Sequence, residues 1–373
     1  MIHPKLKLTV PWDSIELRAQ QQIIRVLVMP ELERLAVMPD VHPGHELCIG
    51  GVALMRGVVS PSFVGYDIGC GMCHVNTGAT LAELGLESIN SRKKLFEAIR
   101  EVIPAGAGRT TSGTKKGAYI DGDFVFKSAS GEAELDKKVK PYIHKQFSTL
   151  GSGNHFLEIG VNSLGKVAVT VHSGSRRVGY EIASWYMKKR PLLPLDSDLG
   201  RAYLTDMDLA LDFALANRRE MVKRTLEVMK LRNVQKLISP DVLVNENHNH
   251  ATKAGGDTML HRKGATPAER GQTGVIPANQ RDGVWVTRGL GNEEFLSSAS
   301  HGAGRKLTRM EAEYAGTTED LEKQMEGVVC RTDKGVLDEA PWVYKDIDEV
   351  LAAQEGILVE VTDHFKPVIV LKG

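Results

Sequence analysis

The chain has 373 residues with 47 Lys+Arg, 47 Asp+Glu and 42% hydrophobic residues, an ordinary globular balance with zero formal net charge. That composition excludes a disordered chain and a nonspecific polyanion coat, which need low hydrophobicity or a large basic excess. Four cysteines (Cys48, Cys70, Cys73 and Cys330) are too few for a disulfide scaffold and fit a reducing, cytoplasmic setting.

The N-terminus lacks the apolar run of a signal peptide, and no stretch is long and apolar enough for a membrane span. Residues 32–80 read as short strands and Gly-rich turns, with LAVMPDV and IGGVALM as apolar runs. Helices are expected over 81–100, over 131–146 and from about Val178. The longest is expected over about 204–236, with Leu209, Phe213 and Ala216 on one face. A strand follows at 283–290, then helices at Arg305–Glu313 and Tyr344–Gln354, and one or two closing strands. Strands and helices do not alternate regularly, so the expected fold class is α+β: mixed sheets with surrounding helices in one domain spanning 1–373.

Charge is uneven. Residues 91–145 carry 12 Lys/Arg against 7 Asp/Glu, and 186–236 carry 11 against 7. Residues 311–349 carry 4 against 12. The two basic stretches are expected to supply a polyanion-facing surface, and the acidic one to lie away from it.

Six motifs carry chemistry. In GYDIGCGM, Asp67 and Cys70 stand three apart, a spacing that lets carboxylate and thiolate converge on Mn, Zn or Fe; a turn aspartate beside a buried cysteine is the plainer reading. GSGNHFLEIG offers Asn154, His155 and Glu158. In VTVHSGSRRVG, His172 ends a strand and a helix opens at SGS, where free N–H groups and Arg176 favour an anion. NENHNHATKAGG places His248 and His250 two apart, flanked by Asn247 and Asn249. HRKGATPAERGQTGVIPANQRDG, with Lys263, is rich in Gly and cations but contains no G-x-x-x-x-G-K-[ST]. In SSASHGAGRKLTR, a helix starting near Ala303 would aim its N–H groups beside an exposed His301 and leave it a neutral nucleophile. Taken together, these motifs describe a metal-assisted phosphoryl or nucleotidyl transfer site.

In this order, MPDVHPG, VGYDIGCGM, GSGNHFLE, HSGSRRVG, RKGA, RGLGNEE and SHGAGR, with DEAPWVYKDIDEV and VLKG at the end, resemble the RtcB family of RNA ligases over some nine-tenths of the chain. The resemblance implies a GTP-dependent ligase with two Mn2+ ions in a deep metal-binding cleft. Such enzymes join RNA 3′-phosphate or 2′,3′-cyclic phosphate ends to 5′-hydroxyl ends through a guanylylated histidine, in RNA repair or tRNA splicing. Carried over by motif, it implies metal ligands Asp67, Cys70, His155, His172 and His248 and the GMP-accepting nucleophile His301. It implies a nucleotide site of Asn154, Glu158, Asn249, Gly302, Ala303, Gly304, Tyr344 and Lys372, and RNA phosphate contacts from Arg176, Arg305 and Lys263. An archease-like activating partner is implied as well.

The chain departs from the family pattern at His45-Glu46, at Asn247 where a His-His-Asn element loses its first His, and at Pro277-Ala278-Asn279-Gln280. It is also shorter than usual, which suits a divergent paralogue acting on tRNA or rRNA fragments. A metal-dependent RNA-end phosphodiesterase or phosphatase, or a non-catalytic RNA-end binder, would draw on the same residues.

Overall fold

The computed structural model describes residues 3–110 and 126–373; that part of the first basic stretch lying in 111–125 falls outside them. Two sheets meet at one edge. The larger has seven strands, in the order Thr273–Pro277, Val284–Gly289, Val359–Lys372, Phe156–Val161, Lys166–Ser173, Gly71–Thr80 and Val244–Asn247. All its neighbours run antiparallel. The smaller has five strands, in the order Leu6–Leu8, Leu32–His45, Leu47–Arg56, Thr258–Lys263 and Asn249–Gly255. Its outermost pair, Leu6–Leu8 with Leu32–His45, is parallel. This is the expected α+β class.

Alternation along a strand sends successive side chains to opposite faces. On Lys166–Ser173, Val167, Val169 and Val171 join one apolar cluster with Ile99, Met221 and Leu226. Ala168, Thr170 and His172 face the other way. Register then fixes their neighbours: Met72 and Phe156 lie opposite His172, Glu158 opposite Thr170, and Lys372 opposite Phe156. His172, Phe156, Glu158 and Lys372 therefore share one face. His248 is the single residue between the last strand of the large sheet and the edge strand of the small one.

The helix Asp198–Val228 has 31 residues and packs across the back of the large sheet. Its buried row is Tyr203, Met207, Ala210, Ala214, Asn217 and Met221, at spacings of three and four. Leu209 and Ala216 flank that row and are only partly buried, whereas Phe213 is fully buried. The helix begins earlier than expected because Ser197 caps it, its hydroxyl accepting from Gly200 N at 3.0 Å. It ends earlier because Lys230 and Asn233 turn to positive φ.

Other boundaries shift for similar reasons. Gly85 at φ 65° keeps 81–88 out of a helix, which starts at Ile89 behind the Ser88 cap. The expected 131–146 helix is Ala133–Gln146, and the helix expected from Val178 starts at Arg176. The expected Arg305–Glu313 helix shrinks to Arg309–Ala312, started by a Thr308/Glu311 capping box. Tyr344–Gln354 shrinks to Ile347–Ala352, capped by Asp346. The closing strands are one, Val359–Lys372, with a register shift between Pro367 and Ile369. Among the described residues, no helix is long and apolar enough to cross a membrane.

Candidate active site

Where the sheets meet, five side chains converge. Cys70 Sγ lies 3.3 Å from both His155 Nε2 and His172 Nε2. His172 Nε2 lies 3.3 Å from His248 Nε2. Asp67 Oδ2 lies 3.0 Å from His155 Nε2. These form two groups able to hold a metal ion, Asp67–Cys70–His155 and Cys70–His172–His248, with Cys70 common to both. A thiolate, imidazoles and one carboxylate make a borderline donor set suited to Mn, Zn or Co.

Two of the imidazole donors are aimed by backbone carbonyls. His155 Nδ1 is 3.0 Å from the Leu150 carbonyl, and His172 Nδ1 is 3.2 Å from the Asn154 carbonyl. Donating Nδ1–H to a carbonyl turns Nε2 toward the cluster, where that of His155 pairs with Asp67 and that of His172 presents its lone pair. A side chain on Gly174 would press within 2.3 Å of Asp67 Oδ1, so only glycine leaves room for the carboxylate there. Burial pushes the Asp67 carboxyl up, but its hydrogen bond and charge interaction with His155, together with Arg176, outweigh this and hold it at about 2. Burial keeps His172 and His248 well below the usual histidine range, so both are neutral and free to ligate.

Beneath the cluster runs the long helix. Arg218 is fully buried and hydrogen-bonded to neutral acceptors. Its guanidinium donates to Gly69 O at 2.7 Å, Ser173 O at 2.9 Å, Asn245 Oδ1 at 2.8 Å and Asn247 Oδ1 at 2.7 Å. Three of these acceptors adjoin Cys70, His172 and His248 in sequence. Asn247, a departure from the family pattern, thus accepts from Arg218 rather than standing idle. Asn217 adds bonds to Thr149 O and Gly174 O, both at 3.2 Å. Neither residue was legible as part of the site; the signal was a polar pair inside an otherwise apolar helix row.

His301 stands beside the cluster, its ring centroid 4.7 Å from that of His248. Its Nδ1 is 2.6 Å from Asp40 Oδ2, and its backbone N–H donates to the same oxygen at 3.2 Å. Asp40 is fully buried, in the strand Leu32–His45. Lys345 Nζ donates to Pro39 O and Val41 O at 3.2 and 2.6 Å, fixing that strand on either side of Asp40. The expected helix at Ala303 is absent: residues 301–303 form bends. Nor is His301 exposed; its side chain is 12% accessible. A carboxylate, not a helix terminus, orients this imidazole. Asp40 and His42 were missed, although they alternate with the apolar Pro39 and Val41 along one strand. His42 Nδ1–H donates to Asp40 O at 2.8 Å.

A cavity of about 370 Å³ opens from the cluster. It is lined by Asn154, Phe156, Glu158, His172, the 277–280 and 301–305 loops, Glu339, Tyr344 and Lys372. Glu158 is buried, and its Oε1 has no hydrogen-bond partner. Burial pushes its carboxyl well above the usual range. At the same end Glu339, also missed by sequence reading, gathers Arg305 Nη1 at 3.0 Å, Lys372 Nζ at 3.2 Å and the Tyr344 hydroxyl. Glu339 comes from the acidic stretch, which therefore helps build the cleft instead of lying away from it. Arg218, from a basic stretch, is interior instead of surface.

Three phosphate or nucleotide expectations are relocated. Lys263 Nζ is buried and donates to His45 O at 2.5 Å and Ser62 O at 2.8 Å, outside the cavity lining. Asn249 joins two loops, accepting from Gly264 N at 2.7 Å and donating to Asp67 O at 3.2 Å. The helix at Arg176 has an early N–H, that of Arg177, already taken by Gln146 Oε1 at 2.8 Å. Arg176 itself lies against the cluster, Nη1 3.3 Å from His155 Nδ1. Arg305 lines the cavity with its guanidinium committed to Leu307 O, Asp338 O and Glu339.

The architecture and the cluster are those of an α+β protein able to hold metal ions, with an oriented histidine on the wall of the adjoining cavity. Residues 22–373 match the profile of the family described as tRNA-splicing ligase RtcB. The chain belongs to the RtcB family. It is similar to the RNA-splicing ligase RtcB of Escherichia coli K12, at 35% identity over 96% of this chain and 95% of that one. The tRNA-splicing ligases RtcB of Pyrobaculum aerophilum and Methanococcus maripaludis are 28% and 29% identical, covering 95% and 97% of this chain and 90% and 93% of theirs.

Proposed function

We propose that this protein is an RNA ligase that joins a 3′-phosphate or 2′,3′-cyclic phosphate end to a 5′-hydroxyl end, using GTP and two manganese ions. The observation that carries the reading is the pair of ligand groups sharing Cys70, with the Asp40–His301 pair next to it on one cavity. Asp67, Cys70 and His155 would hold one ion, and Cys70, His172 and His248 the other. Bound there, the ions would supply Lewis-acid polarisation of phosphoryl oxygens.

The side chains do the rest. Asp40 accepts the Nδ1 proton of His301, leaving the Nε2 lone pair to attack the α-phosphorus of GTP. The N–P bond forms as the bond to pyrophosphate breaks. A cyclic phosphate end is first opened by water, which breaks the bond to the 2′-oxygen and leaves a 3′-phosphate; an oxygen of that phosphate then takes the GMP from His301, and the 5′-hydroxyl oxygen attacks its phosphorus, giving up its proton to solvent as GMP leaves and the strand closes. Glu158 supports guanine as the base: a buried carboxyl without a partner suits the adjacent N–H donors of that ring, and Lys372 suits its carbonyl oxygen. Arg176 is suited to the RNA phosphate. The four free cysteines fit work in a reducing cytoplasm.

The test is to incubate the protein with α-labelled GTP and Mn2+ and then with cleaved RNA bearing these ends. Label should stay on the denatured wild-type chain, be absent from His301→Ala, and disappear as joined RNA forms. A wild-type chain that never takes the label excludes the proposal.

A further inference from the structure

One exposed cluster lies beside the site but outside it. Tyr66 is 41% and Tyr180 42% exposed, and their rings stack with centroids 5.3 Å apart and planes inclined by 27°. His45 sets its ring edge against Tyr66 at 5.8 Å. Arg177 lays its guanidinium 4.7 Å from the Tyr180 centroid while pairing with Glu181. Exposed aromatics scattered singly need no explanation, but a stacked pair edged by a cation and an imidazole is a surface built for planar groups.

Its position says which planar groups. Tyr66 adjoins Asp67 in sequence, and Tyr180 stands four residues after Arg176, one turn along the helix Arg176–Met187. Both neighbours belong to the cluster that faces the reacting phosphate. The platform is also braced from below. Lys263 ties the tip of the 45–47 hairpin to the turn before Tyr66 through His45 O and Ser62 O. The departure at His45-Glu46 thereby gains a role: it turns an imidazole edge onto Tyr66.

We propose that Tyr66 and Tyr180, edged by His45 and Arg177, form a stacking platform for an unpaired nucleobase one or two nucleotides from the RNA end being joined. This rests on the RNA-joining reading above. A polymer whose terminal phosphate sits by Asp67 and Arg176 must run its next nucleotide out past the adjoining residues. Aromatic faces accept any base, so the platform grips without reading sequence.

The experiment uses the full chain and cleaved RNAs whose 3′-phosphate strand or 5′-hydroxyl strand carries abasic sugars at its two terminal positions. Base removal on one strand should raise the wild-type KM about tenfold, with kcat changed less than about twofold. Tyr180→Ala should reproduce that rise on intact RNA and show no further loss on the abasic strand. Tyr66→Phe and Tyr180→Phe should behave as wild type, and guanylylation by GTP should be unchanged in all of them. The strand that responds identifies the bound side. A wild type that joins these RNAs yet ignores both base removal and Tyr180→Ala overturns the platform alone. A wild type that neither binds nor joins any of them overturns the platform and the ligase reading together.

Discussion

The two ends of the cleft are organised on opposite plans. At the cluster end two of the donors are aimed by neutral backbone: carbonyls of Leu150 and Asn154 fix two imidazoles, and Arg218 clamps the supporting loops through two carbonyls and two amide oxygens. At the Glu339 end the charges satisfy one another: Glu339 is shared by Arg305, Lys372 and Tyr344. The first plan aims the imidazoles through their far nitrogens and spends internally only the pairing of Asp67 with His155. The second holds its cations on an internal carboxylate, so a ligand must share or displace them. The cluster end is therefore preorganised, whereas the Glu339 end is held in reserve.

The sharpest way to break this contrast is to remove the atom common to both ligand groups. Cys70→Ala should abolish stoichiometric metal binding in both groups and lower guanylylation and joining by on the order of 10³-fold. Measured metal content of the purified chain checks the first part. Retention of one full ion would show that the groups are independent.

Next in size is the clamp. Arg218→Met leaves four buried acceptors without a donor, at a cost of about 3 kcal/mol or more in urea unfolding. Arg218→Lys keeps the charge but not the fork, so it should fold better yet lose about 10- to 100-fold in metal affinity. Equal metal affinity in the lysine variant would mean that the clamp stabilises the fold without aiming the ligands.

The oriented histidine comes third. Asp40→Asn keeps the shape but replaces the proton acceptor, and the amide can turn its N–H2 toward Nδ1 and reverse the tautomer. Guanylylation should slow by about 100-fold while metal content stays at the wild-type level.

How much of this was legible follows from which forces act locally. Asp67, Cys70, His155, His172, His248 and His301 could be read because each sits in a short Gly-rich motif whose residue types declare their chemistry. The α+β class could be read from strand and helix patterning. Asp40 could not, because a buried aspartate in an apolar strand looks like an isolated exception until its distant partner is known; His301 lies 261 positions away. Glu339 was hidden inside an acidic run, where net charge suggested solvent. Lys263 misled in the opposite direction: a cation in a Gly-rich loop suggested phosphate, but a hairpin 218 positions earlier supplies its acceptor. Helix ends failed wherever a cap, Ser197, Thr308 or Asp346, outweighed apolar periodicity.

The smallest expected effect probes the reserve of the Glu339 end. Burial raises the Glu158 pKa well above its usual value, so the folded state holds a proton there that the unfolded chain releases. The favourable state is therefore fully present at pH below the unfolded value of 4.5 and is lost as pH climbs toward the folded value. Glu158→Gln cannot ionise, so it escapes that loss. Its thermal midpoint should exceed that of wild type at pH 8, and the gap should shrink toward pH 4. Guanine bound there would set its N–H donors against the ionised carboxylate, whose two acceptors the amide replaces by one acceptor and one donor, so preference for GTP over ATP in the labelling assay should fall by about tenfold or more. A variant that gains stability but keeps its base preference would make Glu158 a buried wall of the cavity and move base recognition to Lys372 and its partners on Glu339.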